Sequence, residues 1–499
     1  MPLQGRWIHT RATFHNPVFV HPDFDLRRHR ILSRIGAYRM APRHANLFRW
    51  LRFSAYGALA ICCVILAACS SPSTNSAKRS ASTSARVQHS ATPAQAASAW
   101  RLRTELNTQG SAWGQMVLTG ISASASNNVW AVGSTGERDI DPTTAVAIRW
   151  DGAEWNYYSP YGDGQNAVFH AVVALSPDDV WAVGQATEPA SSPPGVIERW
   201  NGSQWGLVAH PLSAANIGQG VSLTAIAAIS PDDIWTVGYG GVSRLENVID
   251  APVAEHWNGS SWRQVSVPFD GACYDAELSG LVAITSDDVW AVGMCTKVSE
   301  RDDPDHASRN TLIEHWDGAK WSIVPSPNPA PRPGGNIAAL RSIAAVSAQD
   351  VWAAGYSASG LHYSGTSGPD QPLVEHWNGA QWQITPTPPD PTLAGGNSIQ
   401  LSGITVASSG TVWAVGTACF NCATSPVTFI MEWDGARWAQ VPSPNTADPR
   451  TASPDVPLPC ELASATSTPD GQVWAAGDCQ DPTVIQVNPA HEALVESYG

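Results

Sequence analysis

The stretch SPDDVWAVG at residues 176–184 returns in similar form along the chain, as SPDDIWTVG at 230–238 and as TSDDVWAVG at 285–293. Aspartate side chains accept backbone N–H groups in tight turns, which accounts for the first half of the stretch. The β-branched and aromatic residues of the second half favour an extended strand. The stretch therefore predicts the hairpin between two strands, and its return predicts a protein built from repeats.

Seven copies of this motif align on its tryptophan, and the repeats are numbered by these copies. A second motif with an aromatic residue, Asp or Asn, Gly and a later Trp follows six of them, as in HWNGSSW at 256–262. In repeat 3 the segments 223–230, 234–238, 252–257 and 262–268 each have the composition of a strand. Repeats of about 50 residues with four strands are typical of propeller blades. The aligned tryptophans, spaced by 51 to 62 residues, are Trp130, Trp181, Trp235, Trp290, Trp352, Trp413 and Trp474.

The seventh repeat lacks a fourth strand of its own. Its last segment, LVESYG at 494–499, has Tyr498 in the position of a tryptophan and is followed by no further strand. Trp100 lies 18 residues before LTGIS, the same distance that separates Trp205 from LTAIA. We therefore predict an all-β, seven-bladed β-propeller with four antiparallel strands per blade, in which the N-terminal strand at Trp100 closes the last blade.

The order of these motifs resembles the kelch type of propeller, across residues 100–499. The shared features are a second strand ending in Gly, a third strand ending in an aromatic residue with Asp or Asn, and a Trp that opens the fourth strand. The chain departs from the kelch pattern because only Gly-Tyr-Gly-Gly at 238–241 approaches the double glycine after the second strand. The resemblance implies a galactose-oxidase-like superfold, in which oxidases surround copper with Tyr and His and carry a Tyr–Cys crosslink.

Residues 1–69 have the features of an N-terminal extension and an export signal. Three arginines between residues 43 and 52 precede an apolar run at 53–68, which is shorter than the roughly 20 residues of a membrane-spanning helix. The run ends in LAAC, which resembles the bacterial lipobox and implies that Cys69 is lipidated; an uncleaved anchor is the alternative. Met40 precedes an ordinary n-region, so we hypothesise that translation starts there.

Residues 70–99 are rich in Ser, Ala and Thr and show no apolar period, which predicts a disordered tether. Residues 70–499 carry 18 Lys and Arg against 41 Asp and Glu. Binding of nucleic acid requires clustered cations, so this balance argues against a nucleic-acid partner. We expect a monomer that is held outside the cytoplasm by its lipid anchor, at the cell surface or in the periplasm.

Six cysteines follow Cys69, an even number that suits disulfides in an oxidising compartment. Two of them lie five residues after the tryptophans of repeats 4 and 7, and two others precede the first strands of the same repeats. The CFNC sequence has no second Cys pair or His companion, so we predict a local disulfide and no metal. The predicted pairs are Cys273–Cys295, Cys460–Cys479 and Cys419–Cys422.

The tight turns of every repeat should lie at one end of the propeller, and the connections of variable length at the other end, which we call the variable face. Function concentrates in such connections. Aromatic side chains there suit stacking on sugars or docking of a protein; alternatively, half of them pack against their own loops. The predicted ligand-binding residues are Trp113, Tyr161, Tyr239, Tyr274, Tyr356, Tyr363 and Phe420.

Other repeated polar residues are interpreted as structural. The Asp pairs of the SPDD stretches belong to the tight turns, away from the variable face. His256, His315 and His376 come from three separate blades and are too far apart to form a metal cluster. The loop at 301–306 combines three carboxylates with a His, and we interpret it as a solvated acidic loop rather than a Ca²⁺ site.

No Ser-His-Asp, zinc or phosphate-binding motif is found, so the main prediction is a binding module that is not an enzyme and has no cofactor. Its ligand would be a glycan or a protein bound on the variable face. The alternative is an extracellular propeller enzyme of the glycosidase, lyase or copper oxidase type. Cys273 beside Tyr274 suits a copper oxidase, but Cys273 already has a predicted disulfide partner. A glycosidase needs two carboxylates about 5–10 Å apart, and near the variable face the sequence offers Asp139, Asp141, Asp163, Asp270 and Asp275.

Overall fold

The structure is a computed structural model, and the part of the chain that it describes begins at residue 99. Among the described residues no helix is long and apolar enough to cross a membrane. The predicted export signal, Cys69 and the tether up to residue 98 lie outside them and stay predictions. The described ranges are 99–103, 115–136, 144–160, 166–187, 194–213, 219–244, 247–269, 273–297, 308–330, 336–359, 369–388, 398–419, 426–444, 459–481 and 490–499.

The described part of the protein is all-β, with 28 strands and one short 3₁₀ helix, Pro211–Ser213. Strand β1 spans Trp100–Leu102. The strands of repeats 1 to 3 are β2 (Gln115–Ala125), β3 (Asn128–Gly136), β4 (Thr144–Trp150), β5 (Trp155–Tyr158), β6 (Ala167–Ser176), β7 (Asp179–Ala186), β8 (Gly195–Trp200), β9 (Trp205–Leu207), β10 (Gln219–Ser230), β11 (Asp233–Arg244), β12 (Asn247–Trp257) and β13 (Trp262–Val265). The strands of repeats 4 to 7 are β14 (Asp275–Thr285), β15 (Asp288–Lys297), β16 (Ser308–Trp316), β17 (Trp321–Ile323), β18 (Asn336–Ser347), β19 (Asp350–Ser359), β20 (Gln371–Trp377), β21 (Trp382–Ile384), β22 (Ser398–Val406), β23 (Val412–Cys419), β24 (Val427–Trp433), β25 (Trp438–Gln440), β26 (Cys460–Ser467), β27 (Val473–Asp481) and β28 (Ala490–Tyr498).

Each repeat forms an antiparallel meander of four strands, as the sequence predicts. Five of these meanders are separate four-stranded sheets among the described strands. Repeats 4 and 5 instead share one eight-stranded sheet, because a single parallel pairing joins Arg309 of β16 to Ile337 of β18. The first strands contact one another in the order β2, β6, β10, β14, β18, β22 and β26, and β26 contacts β2 again. This cyclic order of four-strand sheets fits a β-propeller.

The motif that opens the sequence forms the hairpin between the first and second strands. In repeat 2 the turn at Pro177 and Asp178 joins β6 to β7, and Ser176 pairs with Asp179. The glycine that ends the motif is required by a close approach of the first strand. A Cβ atom on Gly184 would lie 1.9 Å from the carbonyl oxygen of Val168. The hairpin therefore requires a glycine at this position for steric reasons, in addition to the apolar residues before it.

The second motif forms the turn between the third and fourth strands. In repeat 3, Asn258 Oδ1 accepts the backbone N–H groups of Ser260 and Ser261 at 3.1 and 3.0 Å. Gly259 adopts a φ of 88°, a left-handed conformation that glycine adopts without strain. The turn therefore explains why Asn or Asp is followed by Gly in six repeats.

The tryptophan of each VWAVG motif packs between neighbouring repeats. Trp181 is fully buried, and its ring lies 5.1 Å from that of Trp257 and 5.8 Å from that of Trp262 in the next repeat. The same contact closes the cycle, since Trp474 of repeat 7 lies 6.0 Å from Trp150 of repeat 1. The hydrophobic core is thus a series of aromatic layers between sheets.

The predicted closure is confirmed. Strand β1 pairs with β28 in the register Trp100 with Tyr498 and Leu102 with Glu496, which completes the sheet of repeat 7. Trp100 is 5% exposed, and its ring lies 5.6 Å from that of Trp413 and 5.9 Å from that of Tyr498. Residues almost 400 positions apart therefore share one sheet.

A buried glutamate in the third strand joins several repeats to the one before. Glu375 accepts a hydrogen bond from Ser326 Oγ of repeat 4 at 2.8 Å, and Glu496 accepts one from Ser443 Oγ of repeat 6 at 3.0 Å. In repeat 3, Glu255 Oε2 lies 2.7 Å from His210 Nδ1 of repeat 2, with both side chains fully buried. Burial raises the pKa of Glu375 and of Glu496 to about 7. These contacts between repeats are not predicted from the sequence.

Candidate functional site

Three of the seven predicted aromatic ligand residues lie in the described part of the chain. Tyr274 precedes β14 and is 36% exposed. Tyr239 lies in β11 and is half-buried, while Tyr356 lies in β19 and is 6% exposed. Two of the three therefore lie within strands and not in the connections between strands. The predicted residues outside the described part are Trp113, Tyr161, Tyr363 and Phe420.

Tyr239 belongs to a cluster of ionisable side chains from repeats 3, 4 and 5. Three of its members are carboxylates and two are arginines. Apart from Arg341, which lies near the middle of β18, they lie in the halves of their strands away from the tight turns. We call this set the charged cluster: Tyr239, Asp250, Asp275, Glu277, Arg309 and Arg341.

The carboxylates of the charged cluster come from two adjacent sheets. Asp275 opens β14 and Glu277 follows two positions later, so both side chains point to the same side of that strand. Their Cα atoms are separated by about 7 Å, the rise of two residues in a strand. Asp250 of β12 is tied to them because its backbone N–H donates to Asp275 Oδ1 at 3.1 Å.

The electrostatics of the charged cluster favour the protonated forms of Glu277, Asp250 and Tyr239. Burial and the charge of Asp250 raise the pKa of Glu277, while Arg341 and Arg309 oppose that rise. Burial and the charge of Asp275 raise the pKa of Asp250. Burial and the charge of Glu277 raise the pKa of Tyr239, which keeps its phenol protonated. Such perturbed groups close together are a signature of functional sites.

One of the two positive members of the charged cluster is Arg341 of β18. Its guanidinium lies 5.5 Å from the centre of the Tyr356 ring, and its Nη2 donates to the Tyr356 hydroxyl at 3.5 Å. The side chain is exposed, whereas Tyr356 is buried. The ring therefore serves as a fixed support for an accessible cation.

A separate cleft lies beside the disulfide of repeat 4, lined by Lys297, Asn310, Asn328 and others. Its polar groups are largely committed to the fold, since Asn328 Oδ1 accepts the backbone N–H of Thr311 at 2.8 Å. No carboxylate lines it among the described residues. The cleft therefore lacks the groups for acid–base chemistry that the charged cluster contains.

The cysteine predictions are confirmed for two pairs. Cys273 is bonded to Cys295 and Cys460 to Cys479. Two disulfides indicate an oxidising, extracytoplasmic compartment. The Cys419–Cys422 pair stays a prediction because Cys422 lies outside the described residues. Since the sulfur of Cys273 is bonded to Cys295, it forms no crosslink with Tyr274.

The repeated Asp and His residues form structural units, in line with the sequence interpretation. His256 Nε2 lies 2.7 Å from Asp233 Oδ1, and the His256 ring stacks on Trp235 at 4.3 Å. His315 and His376 repeat the arrangement, each with an aspartate of its own repeat. Across the described residues, no three His, Cys, Asp or Glu side chains are grouped to hold a metal.

No protein-family model matches the chain, and no curated protein matches it. Several solved structures are similar in architecture. YCF48 from Cyanidioschyzon merolae is 12% identical, with a TM-score of 0.43 over 80% of this chain and 98% of its own. An ulvan lyase is 11% identical, with a TM-score of 0.44 over 76% of this chain and 94% of its own. The sialidase of Trypanosoma rangeli is 9% identical, with a TM-score of 0.37 over 69% of this chain and 55% of its own.

These comparisons correct one prediction. The prediction that this chain is not an enzyme is contradicted, since the solved structures similar to it in architecture include enzymes, the lyase and the sialidase. The prediction rested on the absence of familiar catalytic motifs. A propeller assembles a site from several blades, and side chains contributed singly by different repeats leave no motif in the sequence. The charged cluster, with members from three repeats, is an arrangement of that kind.

Proposed function

We propose that this protein is an extracytoplasmic enzyme on a seven-bladed β-propeller that hydrolyses glycosidic bonds at the charged cluster. One observation carries the proposal: Asp275 and Glu277 lie on one side of the same strand, beside Asp250, and the pKa of Glu277 is raised. Glycoside hydrolysis needs a pair of carboxyl groups about 5–9.5 Å apart, one of which is protonated. The Cα separation of about 7 Å along β14 suits that requirement.

The chemistry assigns one role to each carboxyl group. Glu277 is the acid, since its raised pKa keeps a proton available for transfer. It gives that proton to the glycosidic oxygen as the bond from this oxygen to the sugar carbon breaks. Asp275 acts as the base and takes a proton from the water that attacks the same carbon. The Asp250 N–H occupies Asp275 Oδ1 and fixes the orientation of this carboxylate.

Hydrolysis fits the cluster better than the two other reactions in the same class of propeller enzymes. Elimination by a lyase needs an ionised base that removes a carbon-bound proton, and the raised pKa of Tyr239 leaves little of its phenol ionised for that role. A copper oxidase with a Tyr–Cys crosslink at Cys273 is ruled out by the Cys273–Cys295 disulfide.

The seven blades and the membrane anchor belong to the same proposal. The cyclic contacts of the seven first strands support a blade for each repeat, with the shared sheet of repeats 4 and 5 counted as two. The LAAC sequence supports lipidation of Cys69, and residues 70–99 would serve as the tether. The substrate would then be a glycan at the cell surface or in the periplasm.

Release of reducing ends from a panel of polysaccharides tests the proposal. We expect the wild-type domain, residues 99–499, to release them from at least one polysaccharide, and Glu277→Gln to lower that rate by at least a hundredfold. Glu461→Gln is the matched control, because Glu461 has the same register in β26 as Glu277 has in β14. Equal activity of wild type and Glu277→Gln would show that the cluster is not the catalytic site.

A further inference from the structure

Arg341 stands in a position where five of the six other repeats carry short side chains and repeat 2 carries a histidine. The first strand of every repeat has an unpaired residue at the bulge that follows a buried Leu or Phe. In repeats 1 and 3 the Thr at this position donates its hydroxyl to a carbonyl of the next first strand, at 2.7 and 2.6 Å. The bulge residues of the other repeats are Thr119, His170, Thr224, Ser279, Ser402 and Ala463.

A short side chain is thus sufficient for the packing of this bulge. Arg341 extends beyond it and is exposed, on one of the first strands that contact one another around the cycle. Its contacts with the buried Tyr356 hold the guanidinium in one direction. A bulge commonly re-aims a side chain beside an active site.

Within the described part of the chain, the charge of Arg341 is not neutralised by an ion pair. Among the described residues, no carboxylate lies within salt-bridge distance of Arg341 or of Arg309. Arg341 is nevertheless close enough to Glu277 and Tyr239 to act on both electrostatically. The chain as a whole carries a formal charge of −15, so an accessible and unpaired guanidinium beside three carboxylates is a local exception.

We propose that Arg341 binds an anionic substituent of the substrate sugar, a carboxylate or a sulfate, and thereby makes the enzyme specific for acidic glycans. This inference rests on the proposed function of the charged cluster. A planar guanidinium with parallel N–H donors matches either anion. The bound anion would lie next to Glu277, where it favours the protonated acid that hydrolysis needs.

Binding of three tetrasaccharides by isothermal titration calorimetry tests the inference. The probes are a galacturonan with carboxylates only, a carrageenan fragment with sulfates only and a neutral galactan. Arg341→Ala should lower the affinity for one acidic probe roughly tenfold to a hundredfold, and Arg341→Lys should restore part of it. Arg263→Ala, an exposed arginine on the outermost strand of repeat 3, is the matched control and should change nothing. An unchanged melting temperature shows that each variant is folded.

Several results would overturn the inference. Wild-type protein that binds neither acidic probe, or that binds the neutral probe equally well, would contradict it. So would an Arg341→Ala variant that loses affinity for the neutral probe as much as for the acidic ones. Failure of this inference can be distinguished from failure of the proposed hydrolysis. If an acidic probe binds in a manner that depends on Arg341 but no probe is cleaved, the inference is supported and hydrolysis is contradicted. Cleavage of galactan that depends on Glu277 but not on Arg341 does the reverse.

Discussion

Removing one side chain at the closure of the ring should destabilise the whole domain. Trp100 is 5% exposed and lies between Trp413 and Tyr498, in contact with both rings. Its indole N–H donates no hydrogen bond among the described residues, so the effect of Trp100→Ala is mainly one of packing. Truncation of a buried Trp costs about 3–5 kcal/mol.

The expected change in melting temperature follows from the size of the domain. Residues 99–499 comprise about 400 residues, for which the entropy of unfolding is roughly 0.8 kcal/mol per kelvin. A loss of about 3–5 kcal/mol should therefore lower the melting temperature by about 4–6 °C. Leu102→Ala in the same strand is the control, because Leu102 is 40% exposed and should change the melting temperature by less than about 1 °C.

Differential scanning calorimetry of the three proteins at one pH measures both shifts. The role of Trp100 in closure is refuted if Trp100→Ala has the same melting temperature as the wild type, or if Leu102→Ala lowers the melting temperature as much as Trp100→Ala does. Deletion of residues 99–103 extends the test, since it also removes the pairing with β28 and the bond from Arg103 Nε to Ser497 Oγ at 2.7 Å. It should lower the melting temperature further than the point substitution.

Three further predictions follow from buried and bonded groups. Because the pKa values of Glu375 and Glu496 are raised to about 7, their stabilising contribution is complete below about pH 4.5 and is lost as pH rises through 7. The free energy of unfolding, measured by urea denaturation between pH 5 and 8, should therefore decline less steeply with pH in the double variant Glu375→Gln, Glu496→Gln than in the wild type. An equally steep decline in both proteins would contradict the raised pKa values of the two glutamates. Cys295→Ser should lower stability by about 2–4 kcal/mol, while an equal melting temperature with and without reductant would show that the bond contributes nothing. The rate of glycan cleavage should decrease as pH rises through the raised pKa of Glu277. Asp250→Asn removes a charge that raises this pKa, so the decrease should begin at a lower pH in the variant. A decrease at the same pH in both proteins would argue against Glu277 as the acid.

Most of the fold could be predicted because each repeat carries the same local constraints. The last residue of VWAVG must be Gly because a Cβ atom there would lie 1.9 Å from a backbone carbonyl oxygen. Its Trp is needed because the ring fills the space between neighbouring sheets. The comparison of repeats also located the closing strand and two disulfides. The parallel pairing of Arg309 with Ile337 could not be predicted, since it depends on the local approach of two sheets.

The buried glutamates show a second limit of reading the sequence. Glu375 and Glu496 look like solvent-facing residues of alternating strands, yet both are almost fully buried. Their hydroxyl partners, Ser326 and Ser443, follow the fourth strand of the repeat before, each in a Val-Pro-Ser-Pro-Asn sequence that does not by itself indicate a glutamate partner. Only the packing of one sheet on the next reveals that these residues meet.

The charged cluster was found only in part for the same reason. The sequence predicts Tyr239 and Asp275 as site residues, but it does not predict Asp250, Glu277 or Arg341. These three come from separate strands, and no short motif joins them. An alignment of the first strands places Glu277 beside Val117 and Val168, but also beside Glu461 of repeat 7. A charge at this position therefore does not identify the site from the sequence alone.

The central claim is that glycan is bound and cleaved at the charged cluster. A crystal structure of the Glu277→Gln domain soaked with the oligosaccharide that the wild type cleaves best tests it most directly. The account predicts that a sugar ring lies over Asp275, with its glycosidic oxygen within hydrogen-bond distance of the residue 277 amide and an anionic group on Arg341. Sugar bound elsewhere, for example in the cleft beside Asn310 and Asn328, with the charged cluster filled only by water, would contradict it.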